Sequence, residues 1–212
     1  MANNFQHIEW GFEIERKGDT TPSFEQVHGT HIVDLDSLEK PQVSLIQADG
    51  GLTRQWNLPV SVYSADCYPV LFFTESIGDP IVAVHAGWKG IFSGIVSRAV
   101  HLFASDAHLH CVIGPAIGAC CFAVREDFIQ KWDSAGLNPH RFLTERSHRL
   151  YFNLLDHLRA HDLKTLPSHR IHLDQHRCTV CSKPELPSFR RNKSANPRIR
   201  SWIQKRPYPP KP

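Results

Sequence analysis

This 212-residue chain contains no apolar run near the roughly 18 residues that a membrane-spanning helix needs, so a helical membrane protein is not expected. Its start, Met1-Ala-Asn-Asn-Phe-Gln-His7, has neither a basic n-region nor an apolar h-region, and no secretory signal is expected from it. A strong excess of one charge is missing too: 24 Lys+Arg stand against 21 Asp+Glu, a net +3. A protein that reads phosphates across its whole surface should be more basic, so nucleic acid is not an expected partner. Repeats are absent, and the C-terminus is the only segment of biased composition.

The remaining composition is that of a soluble globular domain, with 41% hydrophobic and 21% charged residues. The chain is long enough to bury a core without disulfides. Six cysteines and no export signal point to a reducing, cytoplasmic setting where thiols serve as ligands, nucleophiles or buried bulk. Fourteen histidines make metal handling a reasonable expectation. Residues 184–212 hold eight Lys/Arg, one acid (Glu185) and seven of the fifteen prolines. Charges spread over so Pro-rich a stretch are expected to be solvated. Arg206-Pro-Tyr-Pro-Pro-Lys-Pro212 can form neither helix nor central strand and reads as a disordered tail after a single domain over residues 1–205.

Apolar runs predict buried strands at Val60–Tyr63, Pro69–Phe73, Pro80–Val84 and His110–Ile113, with a turn at Ser64–Cys67. A helix with Ile91, Ile95, Ala99 and Leu102 on one face should follow His85-Ala-Gly-Trp-Lys-Gly90. Further helices are expected near Arg125–Ala135 and Phe152–His161. The fold class is therefore mixed α/β (α+β).

Three metal-capable side chains stand where strands break into turns: His28 in Gln26-Val-His-Gly29, Cys67 in Ala65-Asp-Cys67, and His85. Zinc accepts such N and S donors, and three protein ligands leave one position open. Water in that position ionises near neutral pH and can attack an electrophilic carbon. The spacings, 39 and 18 positions, match no compact zinc pattern, so spacing alone leaves a solvated or core histidine open in each case. Cys178-x-x-Cys181 without a second pair is a weak signal and reads as structural or pocket-lining. Adjacent Cys120 and Cys121 are not expected to chelate one ion together and read as packing.

The segments Gln26-Val-His-Gly29, Ala65-Asp-Cys67, His85-Ala-Gly-Trp-Lys-Gly90 and Gly114-Pro-Ala-Ile-Gly118 follow one another as in a known family. The likeness continues through Phe122-Ala-Val124, Cys178-Thr-Val-Cys181 and Ser188-Phe-Arg-Arg191, over about residues 20 to 205. The chain resembles the YfiH-type laccase-domain family, also called multicopper polyphenol oxidoreductases. The resemblance implies a domain similar to that of the cytotoxic necrotizing factor toxins, and one zinc on His28, Cys67 and His85. It further implies phosphorolysis of adenosine, inosine, guanosine and methylthioadenosine, and hydrolytic deamination of adenosine. The expected partners are a purine nucleoside and phosphate. Catalytic roles then fall to Asp66, Cys67 and His85, with Gln26, Lys89, Arg190 and Arg191 expected to bind substrate or phosphate. For Asp66 two readings stand side by side: general base or orienter of a ligand histidine, and holder of the turn before Cys67. Trp88 is expected either to stack a purine or to sit in the core beneath the glycine turn.

The chain departs from the family pattern in four places. Its segment before Gln26 is short, Pro187-Ser-Phe-Arg-Arg191 replaces Phe-Ser-Tyr-Arg-Arg, Lys89 takes a Lys/Arg position, and Asn153-Leu154 replaces Asp-Leu. Competing readings are a Cys67/His85 hydrolase, including peptidoglycan-precursor editing, a copper phenol oxidase, and a zinc-binding protein without turnover. Copper is disfavoured, because a multicopper site needs about ten ligands in repeated His-x-His patterns, and His108/His110 is the one match noted.

Overall fold

The computed structural model describes residues 5, 7–15, 24–38, 46–105, 107–194 and 196–207. Residues 208–212 of the expected tail, and residues 1–4 and 6 of the start, lie outside them. In chain order the strands are β1 (Ile8–Ile14), β2 (Ile32–Asp34), β3 (Gly50–Thr53), β4 (Val60–Ser64), β5 (Tyr68–Phe73), β6 (Ile81–Ala86), β7 (His110–Ile113), β8 (Ala123–Val124), β9 (Leu143–Arg146), β10 (Arg149–Phe152), β11 (Ile171–Leu173) and β12 (Ile199–Lys205). The helices are α1 (Trp88–Phe92), α2 (Ile95–Val100), α3 (Glu126–Ser134), α4 (Leu154–His161) and α5 (Phe189–Asn192). None of them is long and apolar enough to cross a membrane.

β5 is apolar at every position because both of its faces are covered. Tyr68, Val70 and Phe72 enter a core shared with the helices, while Leu71 and Phe73 enter a second core. The strand belongs to a six-stranded sheet ordered β11-β7-β5-β6-β3-β2, parallel at its two edges and antiparallel within. The second core lies between this sheet and a three-stranded antiparallel sheet, β1-β12-β4, which contributes Phe12, Val60, Val62, Ile199 and Ile203. On the other face, helices and the small β8-β10-β9 sheet enclose an aromatic group centred on Trp132, which touches Phe92, Phe128 and Phe152. Mixed α and β structure in one continuous body is therefore the fold of this chain.

The expected strands and the later helices lie close to their predicted places. The helix after Gly90 is instead two short ones, because Gly94 adopts φ +88 between α1 and α2. Ile91, Ile95 and Ala99 are buried, but Leu102 falls beyond the end of α2 and is 41% exposed. Asn153 caps α4 by accepting from the Asp156 N–H at 3.2 Å, the task an aspartate performs at that position.

The basic C-terminal stretch is not simply solvated. β12 pairs along its length with β1 and sets its cations against acids on or next to that strand. Arg200 meets Glu13 at 2.8 Å, Arg206 meets Glu9 at 2.7 Å, and Arg198 grips both oxygens of Glu15. Lys205 is buried at the end of the inward row Ile199, Ser201, Ile203, with its ammonium donating to the carbonyls of Ile77 and Asp79.

Trp132 has no exposed surface and fills the aromatic core, so Trp132→Ala should cost about 3–5 kcal/mol, read as a lowered midpoint in urea unfolding.

Candidate metal centre and cavity

His85 is the last residue but one of β6, Cys67 sits in the turn from β4 to β5, and His28 lies on the loop before β2. One donor atom from each lies within 4.8 Å of the other two. The two imidazole rings stand 4.9 Å apart at 75°.

The organiser of this corner is Asp49, which is fully buried. β3 pairs antiparallel with β6, Gly50 opposite Val84, and this register sets Asp49 beside His85. The Asp49 carbonyl accepts the His85 backbone N–H at 2.6 Å, and its Oδ1 lies 2.8 Å from His85 Nδ1. Its carboxylate also accepts the N–H groups of Val27, His28 and Gly29 at 3.2, 2.9 and 2.6 Å. Burial opposes ionisation of Asp49, but the bonds from His85, Gly29 and His28 outweigh it and hold its pKa below the ordinary value. An ionised carboxylate only accepts, so His85 donates from Nδ1 and keeps Nε2 for a metal. The three N–H bonds also hold His28 at φ 62, a left-handed conformation that non-glycine residues seldom adopt. Gly87 leaves the space between the ligands clear: a Cβ there would stand 2.8 Å from Cys67 Sγ and 3.0 Å from His28 Cδ2.

Burial works against the Cys67 thiolate, yet the charge of His85 and hydrogen bonds from both histidines bring the thiol down to about 6. His85 is raised to about 9 for the reciprocal reason: burial disfavours its cation, but the Cys67 thiolate and the Asp49 carboxylate more than compensate. The donor set, two imidazoles and a readily ionised thiol, suits a borderline ion such as zinc.

The ligands form the floor of a cavity of about 480 Å³. Gln26, Asp66, Lys89 and Arg190 also line it. The Gln26 side chain is spent on β4, donating to the Tyr63 carbonyl at 2.6 Å and accepting its N–H at 2.8 Å, which pins the His28 loop. Asp66, at φ 99, accepts from Thr179 Oγ1 and from the Arg190 N–H, each at 2.6 Å. It thus ties its turn to a distant segment, and the carboxylate on the ligand histidine is Asp49. Arg191 is not among the lining residues; its guanidinium donates to the carbonyls of Thr179, Val180 and Leu186. Trp88 is half-buried, faces the cavity and packs edge-on against Phe128 at 5.4 Å.

Sequence reasoning missed Asp49, Arg198 and Tyr63, whereas Phe189 of the Ser188-Phe-Arg-Arg191 segment does line the cavity. The signal for Asp49 is an acid followed by two glycines, Asp49-Gly-Gly51. Gly51 is required there because a Cβ would come 2.5 Å from the Phe24 ring. Arg198 stacks 4.6 Å above the Tyr63 ring on the cavity wall.

Fold and site together define a mixed α/β protein with a two-histidine, one-cysteine cluster at the floor of a mixed polar and aromatic cavity. The model of the family described as multi-copper polyphenol oxidoreductase laccase matches residues 2–206, and the chain belongs to that family. The chain is 28% identical over 185 residues to a protein named purine nucleoside phosphorylase from Aquifex aeolicus, covering 84% of this chain and 80% of that one. With purine nucleoside phosphorylase YlmD of Geobacillus stearothermophilus it shares 28% over 223 aligned positions, 97% and 79% of the two chains. With purine nucleoside phosphorylase YfiH of Escherichia coli it shares 32% over 128 residues, 58% of this chain but only 51% of that relative's length. The crystal structure of the Geobacillus YlmD has a TM-score of 0.74 at 26% identity, covering 88% of this chain and 74% of that one. The Bacillus licheniformis protein YfiH gives 0.75 at 26% identity, covering 88% and 75%.

Asp49→Asn preserves shape but replaces a pure acceptor with an amide, and should weaken zinc binding about 10–100-fold in competition with a chromophoric chelator. In metal-free protein, iodoacetamide should modify Cys67 with a pH midpoint near 6, the rate falling as the thiolate is protonated below it. A midpoint at an ordinary thiol value, about 8.5, would show that His85 does not polarise it.

Proposed function

We propose that the chain is a purine nucleoside phosphorylase that also deaminates adenosine, with zinc held by His28, Cys67 and His85. The observation that carries this reading is the convergence of the ligand triad, aromatic rings and cationic side chains on one cavity. The names of the relatives supply the reaction class. A zinc ion on the triad would supply a Lewis acid at the cavity floor.

The other roles belong to the chain itself. Trp88, Phe122 and Phe189 offer ring surface to a purine, and stacking of a base on an aromatic ring is worth about 1–3 kcal/mol. Lys89 and Arg190 bring positive charge to the same space, suited to phosphate, while Arg198 is held on Glu15 and stacks on Tyr63. In phosphorolysis a phosphate oxygen bonds to the anomeric carbon as the glycosidic bond breaks, and the base leaves with that electron pair and gains a proton. Asp66 acts as a positioning residue, fixing the backbone at Arg190 and hence the base of its side chain. Deamination consumes water and releases ammonia from C6 of adenosine. Inosine, guanosine and S-methyl-5'-thioadenosine complete the proposed substrate class.

A second reading, a hydrolase with Cys67 as nucleophile and His85 as base, draws on the contact between those two side chains. One set of assays separates the two. Zinc-loaded chain should convert adenosine plus phosphate into adenine and ribose 1-phosphate, and adenosine without phosphate into inosine. Cys67→Ala or removal of zinc should reduce both about 100-fold or more. Absence of both products from zinc-loaded protein would falsify the phosphorylase reading. Activity that survives chelation but not alkylation would move the chemistry to the thiol.

A further inference from the structure

A second group of metal-capable side chains is independent of the triad. Contrary to the expectation from their adjacency, Cys120 and Cys121 do meet the Cys178-x-x-Cys181 pair: the sulfurs of all four lie within 4.8 Å of one another. Two turns face each other across a single bridge between Ala116 and Cys178. One turn is closed by the N–H groups of Cys121 and Phe122 on the Gly118 carbonyl, the other by the Ser182 N–H on the Cys178 carbonyl. All four cysteines are free thiols.

We propose that Cys120, Cys121, Cys178 and Cys181 form a tetrathiolate zinc site that clasps the part of the cavity wall to which Ile117 and Phe122 belong. Three observations support it. With Zn–S bonds of about 2.3 Å, tetrahedral sulfurs stand about 3.8 Å apart, and the Cys120 and Cys181 sulfurs are already at 3.5 Å. The four free thiols converge on one point, as donors around a single ion do. The surroundings also suit the net negative charge of zinc with four thiolates. The Gly118 N–H points at Cys178 Sγ at 3.3 Å, Arg146 holds the Ala119 carbonyl at 2.7 Å, and Arg191 holds those of Thr179 and Val180. The ion would join the loop that brings Ile117 and Phe122 to the cavity to the segment whose Thr179 binds Asp66. Its role is structural, since four protein ligands leave no open position.

The site is tested on the whole chain with the triad emptied by His28→Ala/His85→Ala. This variant, purified reduced, should retain one zinc per chain where the unaltered chain holds two. Titrated with cobalt(II), it should develop the intense visible bands and thiolate charge-transfer absorption of a tetrathiolate. Cys120→Ser/Cys181→Ser should abolish both, while Cys181→His should keep the ion with a weaker charge-transfer band. The proposal is overturned if the reduced, folded triad variant takes up neither zinc nor cobalt. It is equally overturned if exposure to air joins Cys120 to Cys181 while zinc gives the four thiols no protection from maleimide. Because the measurement is made without the triad, its outcome is separate from that of the nucleoside assays.

Discussion

One buried carboxylate holds the metal corner together. Asp49 receives bonds from three consecutive amides and from an imidazole, on segments that β3 and β6 bring side by side. A buried ionised group is tolerable only when its acceptor capacity is filled in this way. The arrangement serves in both directions. The amides of a tight loop find a partner, His28 is kept in a conformation that a free loop would leave, and His85 is fixed in one tautomer. Two of the three candidate ligands are therefore oriented by a residue outside the cluster.

The layered architecture explains which parts of this arrangement the sequence reveals. β5, β6 and β7 are covered on both sides, so they read as largely apolar runs, with Cys67 just before β5 and His85 near the end of β6. β1 and β12 escape notice because each has one face turned outward, where Glu9, Glu13, Arg200 and Arg206 interrupt the apolar pattern and pair across the strands. Asp49 is invisible for a different reason. Its importance depends on strand register, which sequence periodicity does not supply. Arg191 shows the converse limit: a paired arginine motif announces anion binding, yet one fork is consumed by backbone carbonyls. Adjacency conceals that Cys120 and Cys121 come close to Cys178 and Cys181, because the Cys120–Cys181 contact spans 61 positions that only the fold brings together.

The cavity draws on two separated parts of the chain. Its floor comes from residues 28 to 85, whereas Arg190, Phe189 and Arg198 enter from near the C-terminal strand. Asp66 spans this gap, with Thr179 and Arg190 on its two oxygens, so the Cys67 turn is tied directly to the segment that carries Arg190.

The central place of β12 in its sheet bears on how a newly made chain matures. β1 and β4 lie on opposite sides of it and have no neighbour in that sheet until it arrives. Closing the β1–β12 pair joins residues nearly 200 positions apart, Ile8 with Lys205, the kind of distant contact that slows folding. During synthesis the six-stranded sheet can assemble once β11 has been made and before the ribosome has supplied β12, but the first strand must wait for β12. The corner built from His28, Cys67 and His85 thus belongs to a part of the chain made well before the Arg190 and Arg198 wall of the same cavity.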